Sequence, residues 1–315
     1  MEHPVMILTD SSAYLPTNLV ARYPIRVLPL TLSWDGQAYR DGVDIKPEEF
    51  YRRLATSNTL PQTSQLSVSE INSNVRELIS KGYDVLLMPI SSGISGTYQT
   101  AVGALQNFPK DRVTVLDTKL VCMGLGLQIL AAARAADSGA SLSKCKRIAQ
   151  QVYPNIGVYG SVDDLKYLAA GGRINSAKRL LGAAINLKPV LQFRDGKVEL
   201  VCSVISRRKA VVRMLDLVEE EIGNRTPIRI SVFHTQAEGP ANEFLELARK
   251  RFSPIESILA EFSPVIGVHV GPGTLAITFQ AGTGEGITPH DGSGRSKLHP
   301  ENLVQRERAI EPAEV

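Results

Sequence analysis

The chain has little of what would mark it as secreted, membrane-spanning or nucleic-acid binding. Its three cysteines, Cys122, Cys145 and Cys202, are an odd number at wide spacing. That argues against a disulfide framework and for a reducing, cytoplasmic setting. Met1-Glu2-His3-Pro4 lacks the basic, apolar and small-residue order of a signal peptide. No apolar stretch reaches the length of a membrane span: the most apolar region, Val121 to Ala133, is broken by Gly124, Gly126 and Gln128. Basic and acidic residues nearly balance at 35 and 32, aromatics are only 6%, and no Lys/Arg run forms a phosphate-tracking stripe. No nucleic-acid partner is expected, and at most a transient membrane contact. There is no Walker A, no HExxH and no paired Cys-x-x-Cys, so neither metal nor cofactor is expected. Gly124-Leu125-Gly126 follows a strand and opens a helix, but Ile129 stands where a dinucleotide fingerprint needs its third glycine. It reads as plain packing.

What is present is ordinary globular sequence, 43% hydrophobic and 21% charged. At 315 residues the chain exceeds a typical single core, which favours two α/β domains. Strands are expected at Val5 to Thr9, Ile25 to Trp34, Asp84 to Ile90 and Arg112 to Leu116. They alternate with helices over Pro47 to Ala55, from the capping box Ser67-Val68-Ser69-Glu70 to Gly82, from Gln99 to Phe108, from about Gly124 to Ala136 and from Ser141 to Val152. That alternation predicts a mainly parallel, doubly wound sheet over residues 1–156. Beyond it the pattern mixes hairpins and crossovers. Val190 to Phe193 and Val198 to Val201 flank Arg194-Asp195-Gly196-Lys197, a hairpin signal. Helices are expected at Asp163 to Ala170, Arg208 to Ile222 and Pro240 to Arg251, and strands at Val158 to Val162, Ile228 to Phe233, Ile266 to His269 and Leu275 to Phe279. Residues 157–281 therefore read as an α+β domain with a mixed sheet, and 282–315 as a flexible tail containing His290 and His299, with no ligand expected for either.

The most informative stretch is Ser91-Ser92-Gly93-Ile94-Ser95-Gly96-Thr97-Tyr98, a strand-to-helix turn of small residues and hydroxyls. A helix start offers unpaired N–H groups and a positive dipole end, and small residues leave an anion free to approach. A bound carboxylate or phosphate suits it; so does a simple helix cap by Ser95. Gly93-Ile94-Ser95-Gly96 also resembles a nucleophile elbow with its last glycine one position early, so a serine hydrolase using Ser95 and His269 is the alternative. Asp10-Ser11-Ser12 reads as a helix or turn start, lacking the second acid of a phosphoaspartyl site.

Four stretches complete the pattern: Thr63-Ser64-Gln65-Leu66-Ser67, Ser95-Gly96-Thr97, Gly171-Gly172-Arg173-Ile174 and His269-Val270-Gly271-Pro272-Gly273. With Thr9-Asp10-Ser11-Ser12, Leu116-Asp117-Thr118-Lys119 and Leu187-Lys188-Pro189-Val190-Leu191, they make the chain resemble the DegV family, bacterial fatty acid-binding proteins that serve fatty acid kinase. The resemblance spans about Val5 to Gln280. It implies two α/β domains with one long-chain fatty acid between them, in a carrier that does no chemistry itself. The carboxylate would be held by hydroxyls matching Thr63 and Ser95, with Gly96, His269 and Arg173 at the same polar end. A separate kinase would make the acyl phosphate with ATP, and Arg207 and Arg208 are candidates for docking it, or else a solvated helix start. Cys122 and Thr118 stand where the family often has serine.

Overall fold

The computed structural model describes residues 3–174 and 187–282. Residues 283–315, and with them the expected tail and its histidines, lie outside the described residues.

The first half opens with β1 (Val5–Asp10), a 3-10 turn over Ser11–Ala13 and α1 (Thr17–Arg22), followed by β2 (Ile25–Leu28), β3 (Thr31–Trp34) and β4 (Gln37–Arg40). Next come α2 (Pro47–Leu54), β5 (Gln62–Ser64), α3 (Val68–Ser80), β6 (Asp84–Met88), α4 (Thr97–Ala104), β7 (Val113–Val115), α5 (Cys122–Asp137) and α6 (Leu142–Val152). Strands β2-β1-β6-β7 form a parallel sheet in that order. Every residue of β1 is buried, as expected for a parallel strand covered on both faces. The capping box starts α3 as its sequence predicts: Ser67 Oγ accepts from Glu70 N, and Ser67 N donates to Glu70 Oε2 at 2.9 Å. The run Ile25 to Trp34, expected as one strand, is divided. Pro29 has no N–H for a ladder, and the chain leaves one sheet there and enters another. β3 joins β4 and β5 in a separate antiparallel sheet, order β4-β3-β5.

The second half comprises β8 (Ile156–Ser161), α7 (Lys166–Ala170), β9 (Lys188–Arg194), β10 (Lys197–Val204), α8 (Arg207–Ile222), β11 (Ile228–His234), α9 (Glu238–Phe252), β12 (Glu256–Glu261), α10 (Pro264–Val270) and β13 (Leu275–Ala281). The sheet order is β10-β9-β8-β13-β11-β12; β11 and β12 run parallel and the other neighbours antiparallel. The fold is thus α/β, with a parallel four-stranded sheet followed by a mixed six-stranded one. The β9–β10 hairpin turns at Asp195 and Gly196, both at positive φ, as that dipeptide favours. Ile266 to His269 is not a strand. It lies in α10, which begins with Pro264 in its first turn and stops at Gly271, φ +71°. Strand β12 escaped the sequence pattern because it is an edge strand, part-buried at every position, with no alternation to read.

Helix α5 is buried along nearly its whole length, because it packs on β1 and also on β8 and β13 of the six-stranded sheet. A Cβ at Gly124 would come within 2.6 Å of Val158 Cγ2, so this glycine serves close helix–strand packing. One hydrophobic core accordingly runs from the parallel sheet through α5 to Phe233, Phe262 and Ala276 of the second half.

Candidate functional site: a cavity between the two sheets

A cavity of about 240 Å³ lies between the strand ends of the first half and the inner face of the six-stranded sheet. Leu30, Ile90, Ile94, Val121 and Cys122 line it from one side. From the other come Val158 and Val162, Leu191 and Phe193, Phe233, Ala276, and Val265 and Ile266 of α10. Strand periodicity explains the second set: alternate residues of a strand face one side of the sheet. Val158 packs in the core on the cavity side, whereas its neighbour Tyr159, which also touches the cavity, packs its side chain among α8 residues and meets Glu221 at 2.5 Å.

Thr63, Ser95, Gly96, Arg173 and His269 all line this cavity. A chain of contacts joins them. Thr63 Oγ1 and His269 Nε2 are 3.0 Å apart. The His269 ring lies against Gly171, where a Cβ would overlap Nδ1. Arg173 donates through Nε to Ile94 O at 3.1 Å, beside Ser95, and a second guanidinium nitrogen donates to Gly171 O. Gly96 completes the circuit, since a Cβ there would overlap Gln65 Oε1, two residues from Thr63. The two glycines are therefore spaces that other side chains occupy. Burial, and then the Arg173 charge, push the His269 pKa down to about 4, so the ring is neutral at pH 7. Its Nδ1 is buried and has no hydrogen-bond partner among the described residues.

The Ser91–Ser95 turn is tied down from several sides. Ser91 N donates to Leu120 O at 3.0 Å and Ser91 Oγ to Gly196 O at 3.0 Å, which fastens the turn to the β9–β10 hairpin. Ser92 Oγ donates to Asp117 at 2.6 Å. Ser95 Oγ accepts from Thr97 N at 3.2 Å and lies 3.0 Å from Thr97 Oγ1. So Ser95, one residue ahead of the Gly96 N-cap, accepts from the first N–H of α4 while also lining the cavity. Among the described residues no hydrogen bond joins Ser95 to His269; the imidazole faces Thr63 instead. Burial raises the Cys122 pKa well above its ordinary value, which leaves a neutral thiol in the wall.

Arg207 and Arg208 do not line the cavity. Arg207 pairs with Asp163 at 2.5 Å and donates to Gly273 O at 3.2 Å; Lys188 shares the same carboxylate at 2.8 Å. Arg208 is exposed on α8. Gln65 and Phe233, neither among the expected site residues, also join the lining. The signal for Gln65 is its place beside Thr63. Phe233, stacked edge-on against Phe262 at 4.7 Å, is marked only by sheet register.

Comparison with known proteins agrees with this geometry. The family model described as "Uncharacterised protein, DegV family" matches residues 4–282. The DegV protein of Bacillus subtilis is 31% identical over 276 residues, covering 87% of this chain and 98% of that protein. A DegV domain-containing protein of Listeria monocytogenes is 31% identical over 280 residues, covering 89% and 99%. Among solved structures, a DegV family protein of Thermus thermophilus, described for its fatty acid binding, superimposes with TM-score 0.84 at 32% identity, covering 89% of this chain and all of that one. The Bacillus subtilis DegV, described as a fatty acid binding protein, gives TM-score 0.80 at 30% identity, with 89% and 99% covered. A match that runs through both sheets and takes in every residue of the contact circuit leaves one assignment: the chain belongs to the DegV family.

Proposed function

We propose that this protein binds a long-chain fatty acid in the cavity and presents its carboxylate to a separate fatty acid kinase. The acyl chain lies between a first unit, residues 1–156, and a second, residues 157–281. What supports the reading is one cavity that is apolar along the sheet face and polar where Thr63, Ser95, Gly96, Arg173 and His269 converge. Each buried methylene contributes about 0.8 kcal/mol, so a chain of about fifteen gains about 12 kcal/mol before ordering costs. The head group sets the difficulty, because a carboxylate without donors in a dry site costs several kcal/mol or takes up a proton. Thr63 Oγ1 and His269 Nε2 are 3.0 Å apart, and the reading assigns the proton of the neutral ring to Nε2, which then donates to Thr63 Oγ1. That frees the Thr63 hydroxyl hydrogen for the carboxylate, with Ser95 and the N–H groups that open α4 as further donors. Arg173 supplies positive charge nearby, but its Nε is held by Ile94 O, so it does not clamp the carboxylate from both sides.

A head held by neutral donors stays anionic and nucleophilic. On the kinase, a carboxylate oxygen attacks the γ-phosphorus of ATP, and ADP leaves with the released bond pair. Of the two candidate docking arginines, Arg207 is engaged by Asp163, so Arg208 is the one we assign to the partner surface. A hydrolase would need a Ser95–His269 hydrogen bond, and the pairings of both side chains favour the carrier reading.

The test is direct. Mass spectrometry of the denatured protein should find one fatty acid per chain. Ser95→Ala and Thr63→Ala should each weaken fatty acid binding about tenfold and slow acyl phosphate formation with a competent kinase. Normal affinity in both variants, or fluorophosphonate labelling of Ser95 with ester cleavage in the absence of a kinase, would sink the proposal.

A further inference from the structure

The Asp10-Ser11-Ser12 run does not line the cavity, yet it is hydrogen-bonded to residues on both of its polar sides. Asp10 Oδ2 accepts from Ile90 N at 2.7 Å, at the start of the segment that carries Ser95. Asp10 Oδ1 accepts from Ser12 N at 3.0 Å and also from Ser12 Oγ. Ser11 Oγ accepts from Leu30 N at 3.0 Å and donates to Asp41 Oδ2 at 2.5 Å. Asp41 N in turn donates to Leu30 O at 2.8 Å. The other carboxylate oxygen of Asp41 accepts from Val265 N at 3.4 Å, in the first turn of α10, the helix that carries His269.

Leu30, Ile90 and Val265 all line the cavity. The four residues behind them are closed off from solvent: Asp10, Ser11, Ser12 and Asp41 are between 0% and 5% exposed. Among the described residues no ion pair includes Asp10 or Asp41. Buried carboxyl groups without a cation are costly to keep. What these two make in return is a set of backbone hydrogen bonds that fixes three separate wall segments. β1 supplies Asp10, its following 3-10 turn supplies Ser11, and the loop after β4 supplies Asp41.

We propose that Asp41 and Ser11 are positioning residues for the head-group site, locking α10 and its His269 in register with the turn that carries Ser95. The inference rests on the reading that the cavity takes a carboxylic acid. It assigns the Asp-Ser-Ser run and its distant acid a part in recognising the head of the ligand, with none in holding its tail.

Lipid-free Asp41→Ala, Asp41→Asn and Ser11→Ala proteins, titrated with palmitic acid and with hexadecanol, provide the test. The alcohol fills the same apolar wall but brings no carboxylate. Asp41→Ala should weaken palmitic acid binding about tenfold and hexadecanol binding less than about twofold. Ser11→Ala should show the same split at smaller size. Asp41→Asn should recover part of the loss, because its amide oxygen still accepts from Val265 N. Equal losses for acid and alcohol, or no loss for the acid, overturn the proposal. Should Asp41→Ala fail to fold, Ser11→Ala carries the same comparison, since it removes one hydroxyl and leaves both acids in place. Wild-type protein that takes up neither molecule would overturn the fatty acid reading itself. Wild-type uptake with an unchanged acid-to-alcohol ratio in the variants would overturn the brace alone.

Discussion

The two sheets build the cavity in different ways. The parallel sheet contributes the carboxyl ends of its central strands: β1 ends at Asp10, and β6 leads to Ile90 and the Ser95 turn. The chain crosses from β1 outward to β2 on one side and to β6 and β7 on the other, so those ends form a topological switch point, where open α/β sheets bind ligands. The six-stranded sheet contributes a face, with Val158, Leu191, Phe193, Phe233 and Ala276 turned inward and α8 and α9 packed on its other side. Strand ends carry loops, glycines and hydroxyls, and suit a polar head. A sheet face carries packed side chains and suits an apolar chain. On the proposed function, the contrast makes head recognition and tail recognition separable.

Breaking the polar end should give the largest effect. Gly171 has an ordinary negative φ, so Gly171→Val is opposed by space alone: its Cβ overlaps the His269 ring. We expect a stability loss of about 1–3 kcal/mol from overpacking, separation of His269 from Thr63, and loss of most acid affinity. Thermal unfolding together with titration by palmitic acid would check this.

Filling the apolar face should change length preference and leave head selectivity alone. Ala276 pairs with Gly160 across the strands, two small positions side by side in the cavity wall. Ala276→Leu should weaken the longest acyl chains about tenfold, roughly the worth of two buried methylenes, while acids several carbons shorter bind as before. A series of saturated acids of graded length, titrated into both proteins, measures it.

Two buried groups at the polar end pull stability in opposite directions with pH. Burial pushes the Asp41 carboxyl up to about 7, and Asp10 adds to the rise while Ser11, Val265 and Ser263 oppose it. Tyr14 and Tyr51 also face it, both raised by burial and therefore neutral. Folded Asp41 keeps its proton above the ordinary value of 3.8, so its stabilising contribution is complete below that value and fades as pH climbs to about 7. His269 is held near 4 against an ordinary 6.5, so its contribution is complete above 6.5 and fades as pH drops toward 4. Removing one member tilts the balance. Relative to wild type, His269→Gln should make the stability slope from pH 4 to 6.5 more negative, and Asp41→Asn should make the slope from pH 4 to 7 more positive. Midpoints of thermal unfolding across that range, shifting by a few degrees, report the sign.

Cys122→Ser should do least. Burial already keeps this thiol neutral, so the change adds only a slightly more polar group to the wall. Fatty acid affinity should stay within about twofold, read by the same titration.

Much of this was legible before any coordinates. The Ser67 box, the Asp195-Gly196 hairpin turn and the hydroxyl-rich turn after β6 are local signals, and each sits where its residues predict. The Ser95 turn can be named as an anion site from its small residues and hydroxyls, whereas Thr63, Arg173 and His269 enter through the resemblance to the DegV family. Residues 266–269 read as a strand from sequence because Val265 to Val270 is short, apolar and β-branched, a composition that fits either state. The helix prevails through Pro264 at its start and through Gly267, whose missing side chain lets Phe50 and Tyr51 of α2 pack against it. Arg207 reads as an exposed helix-start cation until Asp163, 44 residues away, is brought beside it.

Sequence by itself determined the alternation of strands and helices, the caps and turns, and the polar character of the residues that line one end of the cavity, because periodicity and capping act over a few residues at a time. Only the tertiary structure decided that Thr63 meets His269 across 206 residues, that Gly171 and Gly96 are gaps other side chains fill, and which strand faces form the apolar wall. Those depend on sheet register and on which elements pack together, and no local stretch of chain encodes either.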